Sequence, residues 1–277
     1  MAAALKGAGY SVCGLDGDGP TSAPIDLTDR RAVRNAVERV QPQVVVHLAA
    51  ISFVAEGDAD RIYRVNVVGT RNLLEALAAR STGPSHVILA SSANIYGNSG
   101  GMISEDVMPS PQNDYAVSKL AMEHMSRLWT DRLPITIVRP FNYSGVGQSD
   151  KFLLPKIVSH FKKKLELIEL GNLDVSRDFS DVRDVVSIYA RLLGATPGNV
   201  FNICSGHEHS LREIVDMMEA ISGHSIEVRV NPDFVRANEV KQLRGDSARL
   251  RGAIGSRRAH QLEDTLHWMY EDEGRHA

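Results

Sequence analysis

The sequence predicts an α/β protein, a doubly wound parallel sheet with a smaller C-terminal lobe. Two observations carry that prediction. Val44-Val45-Val46-His47-Leu48-Ala49-Ala50 and His86-Val87-Ile88-Leu89-Ala90 are apolar runs without alternation, the pattern of strands buried on both faces in a helix-covered parallel sheet. Between them, over residues 61–79, Val65, Val68, Leu73, Ala76 and Leu77 recur near a 3.6-residue period, which marks a helix. Strands that alternate with helices need crossover connections, and these place helices on both faces of one sheet.

In chain order, residues 1–8 read as the end of a helix stopped by Gly9, and residues 10–15 as a strand closing on Asp16. The sequence thus enters an α/β motif partway through. A helix follows at 29–40, then the first apolar run, the helix at 61–79, and the second run ending in Ser91-Ser92. A further helix opens at Tyr115 and extends to about Trp129, and residues 135–140 form the next strand. Beyond Pro140 the rhythm changes to a glycine-bearing loop at 141–150, a helix at 152–164, and strand and loop over 166–178. A helix at 181–193, a strand at 199–203 and a helix at 210–222 capped by Ser210 come next. A short strand at 226–230, a polar stretch at 231–246 and helices near Ser247 and Leu262 complete the chain.

Composition narrows the function. A net charge of −3 offers no basic patch, so nucleic acid is not expected as a partner. Cys13 and Cys204 lie in apolar runs and read as small buried side chains, with neither a disulfide nor a metal site indicated. No apolar stretch approaches the 18 or so residues of a membrane span, and the first residues lack the pattern of a signal peptide. A cytoplasmic location without membrane attachment is therefore expected.

Ligands of open α/β sheets bind beyond the carboxyl ends of the strands, which singles out Asp16, Ala49-Ala50, Ser91-Ser92 and Pro140-Phe141-Asn142. Asp16 suits the two hydroxyls of an adenosine ribose, and equally a turn in Asp16-Gly17-Asp18-Gly19-Pro20. Ser92 could hydrogen-bond a substrate carbonyl or cap a local turn. Tyr115 and Lys119 stand four residues apart, on one helix face. A phenol of pKa about 10 is a poor acid or base at neutral pH, and a fixed ammonium beside it favours the phenolate. That spacing alone also fits a solvated helix face.

Five motifs together resemble the extended short-chain dehydrogenase/reductase family of nucleotide-sugar enzymes. They are His47-Leu48-Ala49-Ala50, Asn66-Val67-Val68-Gly69-Thr70-Arg71-Asn72-Leu73-Leu74, Ser91-Ser92-Ala93-Asn94-Ile95-Tyr96-Gly97, Tyr115-Ala116-Val117-Ser118-Lys119 and Arg139-Pro140-Phe141-Asn142. The resemblance implies a Rossmann-like fold, with residues 1–141 as a dinucleotide-binding domain that contributes again near 181–203. Residues 142–277 would be mainly an interleaved nucleotide-sugar lobe. It implies catalytic roles for Ser92, which polarises the carbonyl, for Tyr115 as the acid or base, and for Lys119, which lowers the tyrosine pKa and holds the nicotinamide ribose. Asp16, Asp26, Leu27, Ala49, Ala50, Asn66, Tyr115 and Lys119 would bind the cofactor, NAD(H) being favoured on the strength of Asp16 and NADP(H) remaining open.

The later segments are most similar to the branch of GDP-4-keto-6-deoxy-mannose reductases and GDP-mannose 4,6-dehydratases. They include Phe141-Asn142-Tyr143-Ser144-Gly145-Val146-Gly147-Gln148, the stretch from Gly171 to Asp184, and Arg236-Ala237-Asn238-Glu239-Val240. By that resemblance Ser92 also contacts substrate, Asn142, Arg177 and Arg236 hold the nucleotide diphosphate, and Glu239 holds its ribose. Surface ion pairs are the alternative for the two arginines. A dehydratase needs a carboxylate two residues after Ser92, where this chain has Asn94, which cannot act as a base. Reduction of a 4-keto sugar to a GDP-6-deoxyhexose such as GDP-rhamnose is therefore favoured, with 4-epimerisation as the alternative within the family and a non-catalytic binding subunit outside it. A homodimer through the Tyr115 helix and the helix at 61–79 is implied as well.

The sequence departs from the family in two places. A Gly-x-x-Gly-x-x-Gly turn that cradles the cofactor pyrophosphate has no counterpart, roughly 15 to 20 residues being absent by comparison with a strand, turn and first helical turn. The chain as it stands is expected to bind the dinucleotide, or to fold, poorly. Gly255-Ser256-Arg257-Arg258 also stands where relatives carry a Gly-Trp-x-Pro turn.

Overall fold

The computed structural model describes residues 1–15, 24–52, 58–234, 242–256 and 259–272. Its main sheet has four parallel strands in the order β1 (Val44–His47), β2 (His86–Ala90), β4 (Ile135–Pro140) and β8 (Val200–Ile203). The lack of alternation in the apolar runs is explained by what covers them. Val87 and Leu89 pack with Ile135 and Ile137 under α2 (Arg30–Val40), α4 (Thr70–Ala78) and α5 (Asp114–Ser126). Ile88 and Val138 face the other way, against α1 (Ala2–Gly7), α7 (Val182–Leu192) and α9 (Ala248–Ile254). Both faces of β2 and β4 are buried, so both sets of their side chains are mainly apolar; β1, at the edge of the sheet, is only half-buried at Val44–Val46, and Leu48 just beyond it is exposed, contrary to the doubly buried strand expected there.

The helix predicted over 61–79 is one continuous rod with a change of pitch. Its first part, α3 (Ala59–Tyr63), is capped by Asp58, whose side chain accepts from Arg61 N at 3.0 Å. A π-helical turn, Arg64–Gly69, follows, and α4 completes the rod. Such wide turns arise where one extra residue is accommodated. Here the wide turn swings Asn66 inward to 1 % exposure, while Leu74 and Leu77 of α4 remain fully buried. Each leucine so buried contributes roughly 1.5–3 kcal/mol, enough to hold the rod on the sheet despite the irregular turn.

The rest of the chain supplies two further sheets. One runs β3 (Gly101–Ile103), β11 (Gln242–Gly245), β7 (Ser176–Asp181) and β5 (Asn142–Ser144), with β9 (Glu208–Ser210) antiparallel to β7. The other pairs β6 (Leu167–Leu170) with β10 (Glu227–Val230). Around them α6 (Leu153–Lys162), α8 (Leu211–Ser222) and α10 (Leu262–Glu271) build a separate apolar core with Phe161, Ile214, Met218 and Leu266 at its centre. Ser210 and Glu213 cap α8 reciprocally.

Three sequence expectations change. Residues 10–15 form no strand ladder, and their backbone is tied to the following segment by Ile25 N donating to Leu15 O at 3.2 Å. Among the described residues nothing pairs with the outer edge of β1. Cys13, read as buried, is consequently exposed, whereas Cys204 is buried as expected. Strands β3, β9 and β11 were not legible, since segments of three or four residues with polar content carry no period of their own.

Candidate active site

Tyr115 and Lys119 lie in the first two turns of α5, which begins where the Asn113 side chain accepts from Ala116 N at 2.9 Å. Lys119 is buried and its ammonium donates to Ala90 O at the carboxyl end of β2, at 2.7 Å, while standing 5.9 Å from the centre of the Tyr115 ring. Burial lowers the Lys119 pKa to about 8, against a weaker pull upward from Glu123. Glu123 is itself gripped by Arg139, whose Nε and Nη2 donate to its two oxygens at 3.0 and 2.7 Å, with both side chains buried. A bidentate guanidinium spends most of that carboxylate's field, which leaves burial as the stronger influence on Lys119.

The Tyr115 phenol is raised above its ordinary pKa, chiefly by burial. A hydrogen bond with Ser92 opposes the shift, and the neighbouring Tyr143 phenol adds to it. The phenol is therefore neutral near pH 7, the state a proton donor must start from. Ser92 keeps its local duty too, its hydroxyl accepting from Asn94 N at 3.2 Å to cap the turn Ala93–Tyr96. The turn ends at Gly97, where φ is +61° and a Cβ would meet Ser110 O at 1.8 Å, so only glycine fits.

Asn66, one of the residues expected to bind cofactor, makes three side-chain hydrogen bonds to Ile51 and Ser118. Its oxygen accepts from Ile51 N at 2.9 Å, and its amide donates to Ile51 O at 3.1 Å and to Ser118 Oγ at 3.0 Å. Ser118 passes the connection on by donating to Tyr115 O at 2.7 Å. The loop after β1 and the Tyr115 turn are thus tied through one amide. A parallel link runs from His47, whose Nε2 lies 2.9 Å from Thr70 Oγ1, to Asn66 O, which accepts from Thr70 at 2.8 Å. Burial, aided by Lys119, lowers the His47 pKa to about 4, so this link uses a neutral imidazole.

The other expected cofactor residues lie on segments that precede or follow β1. Ala49 is exposed and Ala50 half-buried just beyond β1. Asp26 is exposed and accepts from Thr28 N and Oγ1 at 2.8 and 2.7 Å, hydrogen bonds that hold its carboxyl below the usual range. Leu27 is half-buried, with its carbonyl accepting from Asn72 at 2.9 Å. Among the described residues the Lys119 ammonium makes one hydrogen bond, to Ala90 O, so donors remain for ribose hydroxyls. Asp16 lies outside the described residues.

Across the cleft, Asn142 opens β5 and donates to Asp178 O at 3.2 Å. Arg177 is half-buried on β7, with one Nη1 bond to Ser176 O at 2.9 Å. Arg236 and Glu239, the remaining substrate candidates, lie outside the described residues. The residue that organises this side was not singled out in the sequence: Asp178, fully buried, accepts from Ser205 N and Oγ at 2.8 and 2.7 Å, from Gly206 N at 2.9 Å and from Gly245 N at 3.1 Å. Ser118, Glu123 and Tyr143 were likewise missed as site residues. Ser118 and Glu123 lie in the turns around Lys119, and helical spacing could have flagged them.

Comparison with known proteins places this arrangement. Residues 20–269 match the family model for GDP-mannose 4,6 dehydratase. GDP-6-deoxy-D-talose 4-dehydrogenase of Aggregatibacter actinomycetemcomitans is 39% identical over 84% of this chain and 80% of its own length. GDP-6-deoxy-D-mannose reductase of Pseudomonas aeruginosa is 36% identical over 83% of this chain and 80% of its own. The structure of RMD from Pseudomonas aeruginosa complexed with NADPH superposes with a TM-score of 0.83 at 33% identity, covering 91% of this chain and 88% of that one. With a family model spanning most of its length and such relatives, the chain belongs to the GDP-mannose 4,6 dehydratase family, a group of extended short-chain dehydrogenase/reductases that work on nucleotide sugars.

Proposed function

We propose that this protein reduces the 4-keto group of a GDP-4-keto-6-deoxyhexose to the alcohol, using a nicotinamide dinucleotide. The observation that carries the reading is the Ser92–Tyr115–Lys119 cluster at the carboxyl end of β2, with Asn94 in place of a carboxylate beside it. The dinucleotide, when bound, supplies the hydride. Ser92 holds the carbonyl oxygen by hydrogen bonding. Tyr115, neutral through burial, gives its proton to that oxygen as negative charge develops on it. Lys119 holds the ribose beside the phenol and offsets the phenolate charge left behind. Asn142, Arg177, Arg236 and Glu239 are assigned to the nucleotide diphosphate and its ribose. The 36–39% identity to enzymes named for GDP-6-deoxy-D-mannose and GDP-6-deoxy-D-talose supports GDP as the nucleotide.

In this reading residues 1–141, joined by 181–203, carry the dinucleotide and residues 142–277 the nucleotide sugar. NADH preference rests on Asp16 alone. No helix among the described residues is long and apolar enough to cross a membrane, which suits action in the cytoplasm. Exposed Val68, Val117 and Leu128 on the two outer helices suit a homodimer. The test is incubation with GDP-4-keto-6-deoxy-mannose and each reduced cofactor, with product identified by NMR. Cofactor oxidation with formation of a GDP-6-deoxyhexose is expected; a wild-type protein that oxidises neither cofactor would sink the reading.

A further inference from the structure

Two polar groups on one face of the β5–β7 ladder have no role in the reaction described so far. Tyr143 and Ser180 are register partners in parallel strands, so their side chains leave the same side of the ladder next to each other. The Ser180 hydroxyl is buried, 6 % of the residue being exposed, and it has no hydrogen-bond partner. An orphaned buried hydroxyl costs free energy that a ligand can recover. Tyr143 is 43% exposed, and among the described residues its hydroxyl makes no hydrogen bond. Its phenol lies close enough to Tyr115 and to buried Tyr189 to act on both electrostatically. It also follows directly on Asn142, at the diphosphate side. The two residues therefore lie between the carbonyl end of the substrate and its phosphates, where the hexose ring must be.

We propose that Tyr143 and Ser180 form the subsite for the hexose hydroxyl next to the reacting carbon, and that this contact decides which face of the ketone receives the hydride. The inference rests on the reductase reading and names the sugar-recognising part of the same site. In a 4-keto-6-deoxyhexose, C4 has a hydroxyl-bearing neighbour at C3 and a methyl-bearing neighbour at C5. With the carbonyl oxygen on Ser92 and Tyr115, the C3 hydroxyl is the polar group within reach of a second phenol beside Tyr115. Pinning that hydroxyl fixes the ring about the C4 carbonyl and hence the configuration of the alcohol formed.

The test compares GDP-mannose, a stable ligand that bears the C3 hydroxyl, with GDP by calorimetry, using the full chain with reduced cofactor present. Wild-type protein should bind GDP-mannose more tightly than GDP. Tyr143→Phe and Ser180→Ala should each reduce that ratio about 3- to 10-fold without changing GDP affinity, and Tyr143→Phe should broaden the product to a mixture of C4 epimers. An unchanged ratio in both variants, or a wild-type protein that does not distinguish the two ligands, overturns the subsite. Loss of GDP affinity to the same extent as GDP-mannose affinity would also overturn it, because the residues would then act on the nucleotide. The reductase reading fails separately, by absence of wild-type turnover with the keto sugar.

Discussion

At the proton-transfer end of the cleft, Lys119, Ser118, Asn66, Glu123 and Arg139 are all buried and hydrogen-bonded to one another or to nearby backbone. At the diphosphate end Asn142 is exposed and Arg177 half-buried, on strands of three and six residues. The first region is held mainly by one helix and its neighbouring π-helical turn. The second is gathered from residues near 142, 178, 205 and 245: the Asp178 carboxylate accepts from Ser205, Gly206 and Gly245, and its backbone carbonyl accepts from Asn142. In the proposed reading, chemistry that needs close placement of a proton falls to the dry network, and recognition of a large anion to the more exposed rim. A change in one region should therefore leave a different signature from a change in the other.

The sharpest break of that contrast is Tyr115→Phe. It removes only the transferred proton, so turnover should fall about 10²- to 10⁴-fold while calorimetric affinity for GDP-mannose stays nearly constant. Unchanged turnover in folded variant would remove Tyr115 from the chemistry. Asp178→Ala tests the opposite end. It strands the amides of Ser205, Gly206 and Gly245, and a stability loss of about 3 kcal/mol is expected in urea unfolding, with GDP-mannose binding weakened and the Lys119 titration unmoved. Stability equal to wild type would show that these segments are held by other means.

Titration separates the regions without mutation. Because burial sets the Lys119 pKa at about 8, its ammonium is lost as pH rises through that value, and kcat/KM in the free enzyme should decline there. Stability has the opposite sign. Between about 8 and the ordinary lysine value of 10.5 the unfolded chain binds the proton that the folded chain has released, so this group's contribution to stability rises with pH across that window. A flat kcat/KM profile up to pH about 10, near the unperturbed lysine value, would contradict the assignment. The smallest expected effect is that of Ser118→Ala, which cuts the link between Asn66 and Tyr115 O. Two hydrogen bonds of about 1 kcal/mol each are lost, and since only part of that loss acts on the Tyr115 phenol, kcat should fall about 3- to 10-fold with KM little changed, and Ser118→Thr should restore part of it. A change in KM alone would make Ser118 a binding residue.

Legibility in the sequence followed the same division. The i, i+4 spacing of Tyr115 and Lys119, and the position of Ser92 after an apolar run, marked these three as candidates because helix and strand periods are local properties of the chain; their proposed catalytic roles came from the family resemblance. Asn66 was found by motif, but its bonds to Ile51 and Ser118 were not foreseen, because a spacing rule does not tell which distant segment a side chain meets. Asp178 was passed over because its four donors come from residues 27 to 67 positions away in sequence.

What the sequence determined by itself is the alternation of helices and apolar strands, and with it the α/β class. Apolar periodicity suffices for that, since burial is required wherever a sheet is covered on both faces. Only the tertiary structure decided that residues 10–15 join no strand ladder among the described residues, that Cys13 is exposed, and that Tyr143 stands beside the unpartnered Ser180 hydroxyl. Each of these depends on which strand lies next to which. Strand pairing joins residues far apart in the chain, and no local pattern of polar and apolar side chains encodes the partner.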